Sequence, residues 1–197
     1  MVSKYDLIDA IKAKDTDTAI QLLNSKRAPE LLKIVDDRKS GYNMTALHLA
    51  ARYGFTKCCK LILKSDQAEH LITMKNKNGS TPLEWGARMG HLEIVKLLMN
   101  TKQGLDCLTG KNNNIDTPLH EAAYNGHSKV VEILLQTKQG IDALAIVNND
   151  GKTPLDIATQ RNKTETIAII TSALAPPIDL TIIPWDVLIQ DIQIEEE

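Results

Sequence analysis

Short apolar stretches at helical spacing recur along the chain, separated by polar connections and single turn residues. The clearest is Leu92-Glu93-Ile94-Val95-Lys96-Leu97-Leu98, in which the apolar residues take one face while Glu93 and Lys96 face water. A shorter stretch precedes it, headed by Thr81-Pro82-Leu83-Glu84. The same tetrapeptide pattern stands at Thr45-Ala46-Leu47-His48, Thr117-Pro118-Leu119-His120 and Thr153-Pro154-Leu155-Asp156, each 36 residues after the last. Residues 80–115 and 116–151 share 16 identities in 36 aligned positions, including Thr-Lys-Gln-Gly at both 101–104 and 137–140. The pattern predicts a stack of helix pairs, one pair per 36 residues.

Each position in the period has a mechanical reading. Thr81 caps a helix by accepting a backbone N–H bond, and Pro82 sits at the first helical position, where its missing donor does no harm. Glu84, three residues on, completes a capping box. The pairs Ala50-Ala51, Gly86-Ala87, Ala122-Ala123 and Ala158-Thr159 let neighbouring helices approach closely. Gly54, Gly90, Gly126 and Asn162 fall at one phase and end the first helix in the left-handed conformation.

With these residues in view, the sequence resembles the ankyrin repeat family. The match lies in Thr-Pro-Leu-His, the Ala-Ala pair, Gly-His at 90–91 and 126–127, and the Ile/Val-Val-x-Leu/Ile-Leu helix, over about residues 44–174. The resemblance implies an all-α solenoid of stacked antiparallel helix pairs with projecting β-turn fingers. Four repeats are expected, at 44–79, 80–115, 116–151 and 152–174. Residues 1–43 read as a degenerate N-terminal capping repeat with a connecting helix, its register 39 or 40 residues ahead of the next. The period departs from the family's usual ~33 residues. The surplus falls in Gly104–Leu108 and Gly140–Leu144, whose recurring apolar pairs predict an added helical turn rather than an irregular loop. Ala175-Pro176-Pro177 stops the last helix, and the tail that follows, ending at 197, is expected either to pack on the last repeat or to serve as a docking segment.

Composition narrows the function classes. A chain that is 43% hydrophobic with net charge −2 is globular, and it lacks the basic excess that drives nucleic-acid binding. No apolar run reaches the roughly 18–20 residues of a membrane span, and no secretory signal is visible at Met1–Asp6. Three cysteines, two adjacent, make no disulfide framework and point to a reducing, cytoplasmic setting. Candidate chemistry is sparse. His48, His91, His120 and His127 are explained by their phase in the repeat. Cys58 and Cys59 align with core positions, and no metal-ligand spacing occurs. Glu84, Glu121 and Asp156 read as caps and surface groups rather than a catalytic pair. Neither catalysis nor a cofactor is expected.

The resemblance implies partner binding at the concave face, built from finger tips and the exposed side of the first helices. Carried over by phase, this places a partner site at Tyr42, Met44, Arg52, Tyr53, Lys77, Asn78, Trp85, Arg88, Met89, Tyr124 and Asn125. Further finger and helix positions on that face are Asn113, Asn114, Asp116, Asn149, Asp150, Lys152, Gln160 and Arg161. Only 4% of residues are aromatic, and four of the seven rings fall here; Tyr, Trp, Arg and Met are enriched at interface centres. The expected function is a non-enzymatic scaffold or adaptor, a monomer that binds a protein partner. The acidic run Ile192–Glu197 also resembles the glutamate-rich ends of bacterial effectors, which would put the partner in a eukaryotic host cytoplasm. The competing reading is a targeting domain of a larger enzyme whose catalytic part lies elsewhere.

Overall fold

A computed structural model of the chain describes residues 3–38 and 42–175. The chain enters through α1 (Asp6–Lys12), α2 (Thr16–Leu23) and α3 (Ala28–Leu31), then pairs β1 (Val35–Asp36) antiparallel with β2 (Met44–Thr45). Three similar units follow. The first holds α4 (Ala46–Tyr53), α5 (Thr56–Ile62) and α6 (Ala68–Thr73). The second holds α7 (Pro82–Met89), α8 (Leu92–Met99) and α9 (Lys102–Asp106), the last continued by a 3-10 turn at Cys107–Thr109. The third holds α10 (Pro118–Asn125), α11 (Ser128–Leu135) and α12 (Lys138–Ala143). A final pair, α13 (Pro154–Gln160) and α14 (Thr164–Leu174), ends the described array.

The helices form rows. One runs α1, α4, α7, α10, α13 and a second runs α2, α5, α8, α11, α14, each helix touching its neighbours in the row. The space between the rows is filled by Leu, Ile, Val, Ala and Cys side chains such as Leu47, Ile62, Ile94, Val95, Ala123 and Val131. Cys58, Cys59 and Cys107 are buried with free thiols, small apolar fillers in effect. Each residue at the core therefore contacts its own pair and the next, which is how a solenoid buries an apolar surface that no single pair could bury alone.

The added residues of the 36-residue period are helical. α6, α9 and α12 make a third, short row, and the recurring Thr-Lys-Gln-Gly is the device that starts α9 and α12, whereas α6 begins at Ala68 without it. Thr101 Oγ1 accepts from Gly104 N–H at 3.0 Å and donates to the Leu98 carbonyl at 2.7 Å. A Cβ on Gly104 would stand 1.9 Å from the Leu98 oxygen, and one on Gly140 1.8 Å from the Leu134 oxygen. Only glycine lets the short helix fold back this tightly.

The first-helix caps follow the expected phase. Thr45, Thr81, Thr117 and Thr153 each accept from the N–H three residues on, and the box is closed by the side chains of His48, His120 and Asp156. Glu84 departs from the expected capping box: its carboxyl turns away from Thr81 and accepts from Ser80 Oγ at 2.6 Å and Asn112 Nδ2 at 2.7 Å. The helix-ending turns are left-handed at Gly54, Gly90, Gly126 and Asn162. Lys14 has φ +60° as well, which puts it 40 residues ahead of Gly54 and decides the N-terminal register. The turn glycines also make room: His91 lies over Gly54 and His127 over Gly90, close enough that an added Cβ would meet the ring at 2.7 and 2.6 Å. Each imidazole hydrogen-bonds a carbonyl of the preceding helix pair, His91 that of Arg52 and His127 that of Arg88.

The N-terminal pair is tied down by charge. Asp36 is fully buried and bound by Lys12 and Arg38, each at 2.7 Å, and Arg38 also pairs with Asp9 and stacks on the Tyr5 ring at 4.5 Å. These cations hold the Asp36 carboxyl below its ordinary pKa against the opposing effect of burial. The tail expectation concerns residues 176–197, which lie outside the described residues.

Candidate partner-binding face

Two phases of the first helices meet across each repeat junction. The residue seven places after the capping Thr in one repeat lies against the residue four places after the capping Thr in the next. Arg52 therefore stacks on Trp85 at 5.0 Å, and Arg88 approaches Glu121 at 3.6 Å. Arg88 also lies over Trp85 at 5.2 Å, so one indole is flanked by two guanidinium groups. Further along, Arg161 sits over the Tyr124 ring at 3.9 Å and donates to its hydroxyl. The result is a line of arginine and aromatic side chains along the first-helix row. Stacking fixes the guanidinium planes and leaves their edges able to donate.

The fingers make the facing wall, and an asparagine closes each of the three that follow the first. Asn76 Oδ1 accepts from the N–H groups of Asn78 and Ser80, Asn112 Oδ1 from those of Asn114 and Asp116, and Asn148 Oδ1 from those of Asp150 and Lys152. Adjacent fingers are joined at their tips by one backbone bond each: Lys77 N to Tyr42 O, Asn113 N to Asn78 O, Asn149 N to Asn114 O. The Asn113 and Asn149 side chains repeat the link, donating to the carbonyls of Lys77 and Asn113. Asn112 and Asn148 also reach back to a carboxylate near the start of their own 36-residue repeat, Glu84 and Asp116 respectively. Asn76 has no such carboxylate to reach, because His48 occupies the place of Glu84 and Met44 that of Asp116; its Nδ2 is buried without a partner.

Between wall and helix row lies a cleft of about 680 Å³, lined by Arg88, Glu121, Tyr124, Gln160 and Arg161 on the helix side and by Asn78, Asn112–Asn114, Asp116, Asn148, Asp150 and Lys152 on the finger side. Asp116, Glu121 and Asp150 line it, and Glu84, which does not, is hydrogen-bonded to the lining residues Ser80 and Asn112. Glu84 is only 3% exposed, and burial, reinforced by Glu121 and Asp116, pushes its carboxyl up to about 7. Burial also raises Glu121, with Arg88 opposing. These two are not surface groups, and Glu121 does not share the Glu84 phase; it falls one place later, opposite Arg88.

The expected site residues separate into three sets. Asn78, Arg88 and Tyr124 line the cleft, with Arg52 and Trp85 on the helix line next to it. Tyr42, Lys77 and Met89 are exposed, Tyr42 at the tip of the first finger, but do not line the cleft. Tyr53 is half-buried beside Phe55, and Asn125 donates to the Glu121 carbonyl. Met44 is corrected: it is 2% exposed, held in β2 opposite Asp36, and is no part of an accessible face. It is the residue before the capping Thr45, a phase at which Ser80 is also buried, at 4% exposure, so it lies under the finger and not at its tip. Asn76, Asn112 and Asn148, which build the wall, escaped the sequence reading, although their own 36-residue spacing announced them.

As for chemistry, among the described residues no group of three or more His, Cys, Asp or Glu side chains could hold a metal ion. Burial raises the thiols of Cys58 and Cys59 and pushes that of Cys107 up to about 11, far from a nucleophile's setting. Burial lowers the pKa of His48 to about 4 and also lowers that of His120; both rings bridge to the next finger, at Ser80 O and Lys152 O. No helix among the described residues is long and apolar enough to cross a membrane.

No curated protein matches the chain. A family model of ankyrin repeats (3 copies) matches residues 7–109 and 101–180. These two stretches take in the capped helix pairs, the left-handed turns and the asparagine-closed fingers, and together they span most of the sequence, so the chain belongs to the ankyrin-repeat family.

Proposed function

We propose that the protein is a non-enzymatic interaction module that binds a protein partner along its concave face, as a scaffold or adaptor. Ankyrin repeats are in general protein–protein interaction modules, and the division proposed is four repeats, 44–79, 80–115, 116–151 and 152–174, behind a capping unit at 1–43. The observation that carries the reading is the Arg52–Trp85–Arg88 stack beside an open, polar cleft. It joins the residue types that dominate interface energetics to a surface with fixed donors and acceptors. The partner fits as an extended polypeptide segment: the asparagine wall offers amide groups to a backbone, and the stacked arginines offer forked donors to carbonyls or carboxylates.

The test is capture of partners from cytosol with the full chain, followed by titration of the purified partner. Arg88→Glu combined with Tyr124→Ala removes two exposed contacts without entering the core. Binding is expected to weaken at least about tenfold, equivalent to 1.4 kcal/mol, with unchanged thermal unfolding. Unaltered affinity in a folded double variant would refute the concave-face reading.

A further inference from the structure

The charges of this chain are unevenly divided. Residues 176–197 hold six of the 25 acidic side chains and none of the 23 basic ones. That leaves 19 acidic against 23 basic in residues 1–175, so a stretch of net charge −6 is attached to an array of net charge +4. The acidic groups are Asp179, Asp186, Asp191 and Glu195–Glu197, spaced among isoleucines, leucines and Trp185.

On the array, the cations of the concave line are weakly paired, although Asp116, Glu121 and Asp150 line the same cleft. Among the described residues neither Arg52 nor Arg161 has a carboxylate within ion-pairing distance, and Arg88 has only Glu121, at 3.6 Å. Their guanidinium planes are already fixed on rings, so an arriving carboxylate meets donors that lose little freedom on binding.

The end of the array makes little demand for an apolar lid. Facing the next repeat, the inner repeats present Ala51, Ala87 and Ala123, where α13 has Thr159. They present Phe55, His91 and His127, where the last pair has Lys163, and Leu63, Met99 and Leu135, where α14 has Thr171. Among the described residues Thr159 and Thr171 are exposed, so the outward face of the last pair is more polar at these phases than that of the inner repeats, although Leu174 is exposed as well. Reach is not limiting: 22 residues extend up to about 70 Å, whereas three repeat steps at helix-packing distances are about 30 Å.

We propose that residues 176–197 fold back along the concave face of the same chain, their carboxylates meeting Arg161, Arg88 and Arg52. The inference rests on the concave face being the binding face, and it names the occupant of that face in the absence of a partner. A partner then competes with the chain's own acidic segment.

The test places a spin label on the full chain at Gln193→Cys. Cys58, Cys59 and Cys107 are buried, so the label goes to the introduced thiol. Amide signals around Arg88 and the Trp85 indole signal should lose at least half their intensity at low salt. They should recover at about 0.5 M salt, where the Debye length falls to a few ångströms. Replacing the six tail acids by Asn or Gln in the labelled chain should restore the signals at low salt. A mixture of labelled and isotopically visible unlabelled chains should show no loss; loss in that mixture means a second copy is the donor and overturns the proposal. Loss confined to Thr159, Lys163 and Thr171, or no loss anywhere, also overturns it. The two readings fail separately. Partner binding that survives Arg88→Glu with Tyr124→Ala sinks the proposed function whatever the label shows. Absent signal loss sinks the tail contact whatever the partner does.

Discussion

Glu84 stands where two other repeats have histidine, and the exchange alters how stability responds to pH. His48 and His120 cap their own helix and bridge to the next finger as neutral rings. Glu84 gives up the cap and binds the next finger through Asn112. Its pKa in the folded protein, about 7, lies above the ordinary 4.5, so the folded state keeps a proton that the unfolded chain has lost. Stability from this group therefore declines as pH rises from about 4.5 through 7, by on the order of 3 kcal/mol. His48 acts oppositely. Its pKa of about 4 lies below 6.5, so the unfolded chain takes the proton first and stability declines as pH falls from 6.5 to 4. The two slopes oppose each other between 4.5 and 6.5. Glu84→Gln keeps an acceptor for Ser80 and Asn112 and removes the charge. Denaturant unfolding from pH 4.5 to 8 should then show stability that declines less at the alkaline end than in wild type, with a gain of roughly 1–3 kcal/mol at pH 8. An unchanged pH profile would show that the Glu84 pKa does not differ between the folded and unfolded states.

At the scale of elements, the sequence was legible wherever a position repeats with the same residue type and the same job. Capping threonines, left-handed turns and the apolar second helices all read correctly from the period. So did the added helical turn, although its cause did not. The recurrence of Thr-Lys-Gln-Gly marks a contact with the carbonyls of Leu98 and Leu134 that only coordinates reveal. Met44 and Glu84 misread for different reasons. Met44 was placed on the accessible finger although the residue before the capping Thr lies under it, as Ser80 does, and Glu84 was placed in a capping box although a carboxylate in place of imidazole turns to Ser80 and Asn112. The asparagines of the fingers were overlooked because polar residues between helices read as variable surface, when each in fact accepts two backbone N–H groups. The glycine reading makes a sharp contrast. Gly104→Ala drives a methyl into a backbone oxygen and should destabilise by about 3 kcal/mol or more, with loss of the α9 signals. Gly151→Ala, at φ +70° with nothing within 4 Å, should cost only the left-handed penalty of about 1–2 kcal/mol. Equal losses in thermal unfolding would remove the steric account of the repeated tetrapeptide.

For the whole molecule, the row arrangement means that each helix pair is held only by itself and its neighbours, so stability should be distributed unequally along the stack. The pairs at the two ends differ in kind. α1 and α2 are anchored by the buried Asp36 and its two cations, whereas α13 and α14 meet the array on one side and present Thr159, Lys163 and Thr171 on the other. Native-state hydrogen exchange should therefore find α13 and α14 opening at the lowest free energy among the described helices, before α4, α7 and α10. Ile170→Ala, at a fully buried position on α14, should lower protection there by about 2–4 kcal/mol and leave α4 and α7 unchanged. Val95→Ala, equally buried on α8, should lower protection in the repeats on both sides of it, because α8 packs against α5 and α11. If Ile170→Ala reduces protection by the same amount in every helix, the array unfolds as one cooperative unit and the nearest-neighbour account is wrong. The distinction bears on binding. An end that opens alone carries Arg161 and Lys152 away from the cleft while Arg52, Trp85 and Arg88 stay in place, so a partner's grip would be divided between a firm half and a yielding half.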